Sequence, residues 1–351
     1  MKRLTIVFVA VVLIFSGYSI IAAGGKDKAA PGEEGILIGE VIYNLGQPYQ
    51  QAHAKNAELY AEELGIDLII VDGRGSSDVI ISAVEDLIAK GVQGIIIQPG
   101  DAEAINVSID EAHDAGVAVV TFFNKQTRAK APFVKLEEHD ICFEMGKFAV
   151  KKWTEFYPDK PIKVGIISEP QVDYVRYHRA GAFADGVMEA DPTAEIVTIL
   201  DGMGVRDKSL QAGEDMLQAH PEVNIIYGIN NDSVLGALAA YEAAGRGKAV
   251  NGKPLTEIFF GTDGTEGELL KIANPSSSFK VTMALQPKDN ARVLIDTLLK
   301  ILDGEIDMRS EYETKSLDFI IDGWSMDIDY LQGWLEDQYF SQINLKEEIG
   351  L

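Results

Sequence analysis

The sequence predicts an α/β protein made of two doubly wound parallel-sheet lobes, and three observations lead to that prediction. Short runs rich in Val and Ile alternate with helical patterns from Ile36 to about Ile320. Continuous apolar strands that alternate with helices are typical of parallel sheets covered on both faces. The chain has 351 residues, 46% of them hydrophobic. This length exceeds what a single core usually supports and favours two lobes.

The elements form two series with the same rhythm. In the first series we predict strands over 36–43, 68–71, 94–98 and 117–123, with helices over 49–64, 78–90 and 102–115. In the second series we predict strands over 163–168, 195–200, 224–229, 257–262 and 280–285, with helices over 176–189, 209–219, 233–244 and 266–273. Ligands of open parallel sheets bind beyond the carboxyl ends of the strands, so two facing lobes predict one site in the cleft between them.

The amino terminus has the layout of a secretory signal peptide. Lys2 and Arg3 precede an apolar run over 4–15, and small residues follow up to Ala23. We therefore expect a signal peptide over 1–23, a linker over 24–35 and a periplasmic or extracytoplasmic location. The alternative is an uncleaved membrane anchor, because residues 4–23 almost reach the length that spans a bilayer.

The composition excludes several classes of partner and site. A formal net charge of −24 disfavours nucleic acid, which is bound through clustered Lys and Arg, and is typical of a solvated surface. Cys142 is the only cysteine, so an intrachain disulfide is impossible. The sequence has no Gly-x-Ser-x-Gly motif, no phosphate-binding loop and no histidine pair with metalloprotease spacing, so we expect no enzyme, no metal site and no cofactor.

Polar and aromatic residues follow the predicted strands of both series. They occupy 44–49, 98–101, 123–124, 169–179, 230–232, Asp263 and Gln286. For Asp263 and Asn230 a turn or helix-cap role alone is an equal alternative, since Asp and Asn are common there. All of these residues lie at the same ends of successive strands, which favours a binding role.

Six motifs in register carry a family resemblance that runs from Ile36 to about Ile321. They are NLGQPY at 44–49, LIAKGVQGIIIQP at 87–99, RAGAF at 179–183, NNDSVLGAL at 230–238, GTDG at 261–264 and ALQP at 284–287. With them the chain resembles the ribose-type, sugar-binding branch of the type I periplasmic-binding-protein family, which serves ABC importers. The same fold occurs in sugar-responsive repressors, but those carry a helix-turn-helix where this chain has the predicted signal peptide.

The resemblance implies a cleft for a sugar or polyol. It assigns ligand contacts to Gln47, Tyr49, Arg179, Asn230, Asp263 and Gln286. Asp263 can accept bonds from two hydroxyls, Arg179 donates in a rigid fork, and a Tyr49 ring suits the C–H face of a sugar. After the last strand of the second series, family members have a Gln two residues before a Pro. This chain has Leu285 at that position, and its Gln286 directly precedes Pro287.

The chain departs from the family at the end of the fourth strand. Phe123 and Asn124 stand where ribose-type members have an Asp-Arg pair, which makes this corner neutral and partly apolar and argues against ribose itself. Phe122 and Phe123 are expected on opposite strand faces, so that only one of them lines the cleft. Tyr174 is the residue of the 169–177 loop that we expect to add an aromatic contact from the second lobe.

The family topology implies three crossings between the lobes, near Glu138, near Leu285 and near 316–318. Lobe 1 is then 36–138 plus 286–316, and lobe 2 is 139–285 plus 317–351, with the aromatic tail from Trp324 covering an outer face of lobe 2. We expect a monomer whose hinged closure on the ligand is read by the membrane permease of an ABC importer. The alternative is a sensory module that presents the same closed form to a chemoreceptor or a histidine kinase.

Overall fold

Two six-stranded sheets form the frame of the protein. A computed structural model describes residues 35–316 and 318–351; the predicted signal peptide and residues 24–34 of the predicted linker lie outside the described residues. The strands are β1 (Leu37–Ile42), β2 (Asp67–Asp72), β3 (Gly94–Ile97), β4 (Ala118–Phe122), β5 (Phe133–Lys135), β6 (Lys163–Ser168), β7 (Glu195–Asp201), β8 (Ile225–Gly228), β9 (Ala249–Val250), β10 (Lys253–Pro254), β11 (Ile258–Asp263), β12 (Phe279–Ala284), β13 (Glu313–Lys315) and β14 (Phe319–Asp322).

The helices follow the strands in alternation. They are α1 (Pro48–Leu64), α2 (Ser77–Ala89), α3 (Asn106–Asp114), α4 (Glu138–Phe156), α5 (Asp173–Val175), α6 (Ala182–Ala190), α7 (Arg206–Ala219), α8 (Asn231–Ala243), α9 (Glu266–Ala273), α10 (Pro287–Leu302), α11 (Ile328–Tyr339) and α12 (Leu345–Glu348). A π-helical segment, Arg176–Gly181, joins α5 to α6.

Both sheets have the doubly wound strand order. The first sheet runs β13-β5-β4-β3-β1-β2 with every pair parallel. The second runs β14-β12-β11-β8-β6-β7, and only β14 is antiparallel, at the edge. The predicted fold class of two parallel-sheet α/β lobes is confirmed, with one antiparallel edge strand added.

Alternating side chains on each strand fill two cores on opposite faces of a sheet. In the first sheet Ile96 and Val120 pack in the core that includes residues of α1 and α10, whereas Ile95 and Val119 pack in the core that includes residues of α2 and α3. In the second sheet, residues of α4 and α6 contribute to the core on one face, and residues of α7, α8 and α9 to the core on the other. The apolar strands are therefore covered on both faces, as the sequence pattern predicts.

The chain passes between the two sheets three times. It leaves the first sheet after β5 and reaches β6 through α4, it returns after β12 through Leu285, and it crosses again between β13 and β14. The carboxyl ends of the central strands of both sheets face one cavity. The residue boundaries that we predict for the two lobes stay a prediction.

Two local predictions differ from the structure. Helix α3 begins at Asn106 rather than near Ala102, because the Asp101 carboxylate accepts the backbone N–H groups of Glu103 and Ala104 and holds a turn there. The tail covers more than lobe 2, since the Gln338 backbone carbonyl accepts a bond from Asn56 on α1 at 3.0 Å.

Trp324 belongs to the packing of the tail. It lies against Phe148 and Phe156, and its indole N–H donates to the Gly252 carbonyl at 2.7 Å. No helix within 35–316 or 318–351 has the length and apolar character that a bilayer crossing requires.

Candidate ligand-binding site

A cavity lies between the carboxyl ends of the two sheets and encloses about 730 Å³ of empty space, part of it open to solvent. The structure brings eight of the predicted site residues to its wall, namely Gln47, Tyr49, Phe123, Asn124, Tyr174, Arg179, Asn230 and Asp263. Gln286 is not among the lining residues; its neighbour Leu285 is.

Arg179 is fixed by a buried ion pair. Its Nε and Nη2 groups donate to the two carboxylate oxygens of Glu138 at 2.8 and 2.6 Å, and Nη1 donates to the Ile229 carbonyl at 2.8 Å. The side chains of Arg179 and Glu138 are 8% and 0% exposed. Arg179 lies in the π-helical segment, and such segments are frequent at functional sites. Because Glu138 begins α4 where the chain crosses between the sheets, this pair connects the cavity wall to that crossing.

Asp263 ends β11 at an unusual backbone angle and carries a buried carboxylate. Its φ is +112°, a region where non-glycine residues are strained. One oxygen accepts the backbone N–H of Asn231 at 2.9 Å, and the other lies 3.6 Å from Nη1 of Arg179. Burial raises the pKa of Asp263 to about 7, although the Arg179 guanidinium and the Asn231 N–H oppose that rise.

Asn230 caps a helix as well as lining the cavity. Its side-chain oxygen accepts the backbone N–H of Ser233 at 2.8 Å at the start of α8, and its amide donates to the Gly204 carbonyl at 3.0 Å. The cap role that the sequence left open is thus present. A ligand contact by Asn230 stays a prediction.

An aromatic cluster forms the first-sheet side of the cavity. The Tyr49 ring meets the Phe123 ring edge to face at 5.9 Å, and the Tyr49 hydroxyl accepts a bond from Asn290 at 3.0 Å. The predicted opposite orientation of Phe122 and Phe123 is wrong, because their rings are 4.3 Å apart. The strand ends at Phe122, and Phe123 turns to a φ of +63°, so the alternation of an extended strand no longer applies. Phe122 is fully buried and Phe123 lines the cavity.

Three more predicted residues complete the wall. The Asn124 amide donates to the Gly100 carbonyl at 3.2 Å. The Tyr174 ring lies 4.7 Å from the His178 ring, and burial, followed by the Glu138 carboxylate, raises the pKa of Tyr174. Gln47 precedes α1 and makes no side-chain cap bond there.

Sequence reasoning gave no site role to three residues of this region, Tyr43, Gln50 and Glu138, and included two others, Gln98 and Glu169, only as parts of loops. Tyr43, Gln50, Gln98 and Glu169 line the cavity, and Glu138 lies behind its wall. Gln98 and Glu169 directly follow β3 and β6, in the segments 98–101 and 169–179 that the sequence places at the cleft, so their position after a strand is the signal. Glu138 was noted only as a crossing, and Gln50 gave no signal beyond its place next to Tyr49.

Two more carboxylates near Arg179, those of Glu169 and Asp318, have raised pKa values. Burial raises the pKa of Glu169, Asp201 adds to the rise and Arg179 opposes it. Asp318 accepts a bond from the Ser316 hydroxyl at 2.5 Å, and burial raises its pKa to about 7. Within the described part of the chain, no group of three or more His, Cys, Asp or Glu side chains is arranged to hold a metal ion.

Comparisons with known proteins agree on one family. A family model described as a periplasmic binding protein domain matches residues 38–306. The ribose import binding protein of Bacillus subtilis is 28% identical over 284 residues, which cover 80% of this chain and 86% of that protein. A galactofuranose-binding protein of Escherichia coli is 27% identical over 204 residues, 56% of this chain and 63% of that protein.

Solved structures share the fold. A galactofuranose binding protein aligns with a TM-score of 0.74 at 22% identity, over 86% of this chain and 98% of that chain. The Caulobacter myo-inositol binding protein bound to myo-inositol aligns with a TM-score of 0.71 at 21% identity, over 82% of this chain and 93% of that chain.

Proposed function

Because the chain belongs to the periplasmic binding protein family, we propose that it is the extracytoplasmic solute-binding subunit of an ABC importer. In this proposal it binds a sugar or polyol between its lobes and delivers it to a membrane permease. The observation that carries the proposal is the cavity between the carboxyl ends of the two sheets, with polar walls from both. The relatives described above, named for ribose import and for galactofuranose binding, support the ligand class.

The proposed ligand is neutral and hydroxylated. In the cavity wall the first sheet contributes amide and aromatic side chains, whereas the charged groups Glu169, Arg179 and Asp263 come from the second. Arg179 already neutralises Glu138, so it offers its remaining N–H groups rather than a free positive charge. A hydroxyl can accept from Arg179 and donate to Asp263, while a ligand carboxylate would meet an excess of negative charge.

We propose that the chain binds this ligand without chemical change. Glu138, Arg179 and Asp263 are engaged in structural bonds, which supports binding over catalysis. Export by the predicted signal peptide over 1–23 and a monomeric state are parts of the same proposal. Import is proposed over the sensory alternative because the relatives above are named for import and binding, not for sensing.

A thermal-shift panel tests the proposal. Unfolding of the mature chain is followed with pentoses, hexoses, polyols, amino acids and dicarboxylates at saturating concentration. A ligand present at 100 times its Kd stabilises the folded state by about 2.7 kcal/mol. We expect a raised Tm with at least one sugar or polyol. A raised Tm with amino acids or dicarboxylates alone contradicts the proposal.

A further inference from the structure

A glutamate and a histidine form a fully buried pair in the core of the first sheet. Glu40 lies in the middle of β1, between β2 and β3, and His53 lies on α1 and faces it. Both residues are 0% exposed, and the bond between His53 Nε2 and Glu40 Oε1 is 2.6 Å long. Groups of this polarity are rarely buried unless all of their polar atoms are paired.

This pair is only partly bonded. The second carboxylate oxygen of Glu40 and Nδ1 of His53 have no hydrogen-bond partner among the described residues. The Arg246–Glu257 pair at the start of β11 shows the contrast, because both carboxylate oxygens of Glu257 accept a bond, from Arg246 at 2.8 Å and from the Gly247 backbone N–H at 2.7 Å. A partly bonded polar pair is less favourable in a core than apolar packing. Stability of the fold therefore does not account for Glu40 and His53.

The His53 ring connects the pair to the wall of the cavity. Its centroid lies 6.1 Å from the Tyr49 ring and 5.9 Å from the Phe122 ring, with interplanar angles of 28° and 21°. Both of these rings also contact Phe123, with centroids 5.9 and 4.3 Å away. Tyr49 and Phe123 line the cavity. The rings therefore form a closed circuit in which His53 is held by its bond to Glu40.

We propose that Glu40 and His53 are positioning residues, which hold Tyr49 and Phe123 in the geometry that binds the ligand. Neither Glu40 nor His53 lines the cavity, so both act through the rings. Hydrogen bonds are directional, so the bond to Glu40 fixes the plane of the His53 ring and thereby the rings that pack on it. A wall that is ordered before the ligand arrives loses less freedom on binding, which raises the affinity. This inference rests on the proposed function.

The experiment replaces the pair by apolar side chains. Glu40→Leu combined with His53→Leu removes both polar groups, whereas Glu40→Gln is the conservative variant, because an amide can still bond to the imidazole. The matched control is Arg246→Met combined with Glu257→Leu, which removes a pair that does not line the cavity. Binding of D-ribose, D-allose, D-galactose and myo-inositol is measured by titration calorimetry, and the Tm of each unliganded variant is recorded.

We expect the leucine double variant to raise the Kd of the bound probe by about tenfold, since ordered ring contacts are worth up to about that factor. Its unliganded Tm should equal or exceed that of wild type, because apolar packing replaces a partly bonded polar pair. Glu40→Gln should keep the wild-type Kd. The control should lower the Tm, because the Gly247 N–H loses its acceptor, and leave the Kd unchanged.

An unchanged Kd in the leucine double variant would overturn the inference while the proposed function stands. A lower Tm or a loss of folding in that variant would assign the pair a structural role and would also overturn it. The same holds for an equal rise of the Kd in Glu40→Gln or in the control. If wild type binds none of the probes, the proposed function fails and the inference fails with it.

Discussion

Replacement of Arg179 by methionine is expected to destabilise the unliganded protein, because the Glu138 carboxylate would stay buried without its counter-charge. The Glu138 side chain is fully buried, and both of its oxygens accept from Arg179. Removal of one partner of a buried pair costs about 3–5 kcal/mol. Since whole proteins are stable by about 5–15 kcal/mol, this loss is a large fraction of the total.

Urea unfolding followed by tryptophan fluorescence measures this loss, and two further variants make it specific. Arg176→Met is the matched control, because Arg176 lies in the same π-helical segment but forms an exposed ion pair with Asp173. Such exposed pairs contribute about 0–1 kcal/mol. Glu138→Gln combined with Arg179→Met removes the isolated charge, so the double variant should be more stable than Arg179→Met alone. Equal losses of stability in Arg179→Met and Arg176→Met, or no recovery in the double variant, would contradict this expectation.

Three other experiments test separate parts of the structure. Burial raises the pKa of Asp318 from 3.8 to about 7. The protonated side chain therefore contributes its full stabilisation of the folded state below about pH 4, and this stabilisation is lost as the pH rises through about 7. In urea unfolding, the free energy of unfolding of Asp318→Asn should therefore exceed that of wild type by up to about 4 kcal/mol at pH 8 and equal it at pH 4. An equal difference at both pH values would contradict this. Burial raises the pKa of the Cys142 thiol to about 12, so Ellman's reagent should modify it only after denaturation, and rapid labelling of the folded chain would show that the thiol is accessible. Asn230→Ala should lower the free energy of unfolding by about 1 kcal/mol and Asn230→Asp by less, because only aspartate keeps the cap acceptor; equal losses would argue against the cap.

The fold could be predicted because strand and helix patterns are local. Strand β6 and helix α9 have the bounds that the periodicity predicts, and the other predicted strands agree within two residues. The short strands β5 and β13 have only three residues each, too few for a pattern to be recognised. Their pairing, which completes the first sheet, depends on tertiary contacts between distant segments.

The site could be predicted only as a set of positions. Residues after successive parallel strands meet at one edge, so polar residues there could be assigned to the cleft. The contacts among them could not be predicted, since the Arg179–Glu138 pair joins residues 41 positions apart. The turn at Phe123 was missed because a positive φ at phenylalanine has no signature in a single sequence. Gln50 was missed because its burial in the cavity wall depends on the folded chain and has no local pattern.

Titration calorimetry of the mature protein measures directly whether a sugar or polyol binds in the cavity between the sheets. The ligand is the sugar or polyol that gives the largest thermal shift, and the variants are Asp263→Asn and Asp232→Asn. Asp263 lines the cavity, whereas Asp232 pairs with Arg206 outside it. We expect one binding site per chain in wild type and in Asp232→Asn, with binding lost or weakened at least tenfold in Asp263→Asn. No measurable binding of any sugar or polyol, or an unchanged Kd in Asp263→Asn, would contradict this expectation.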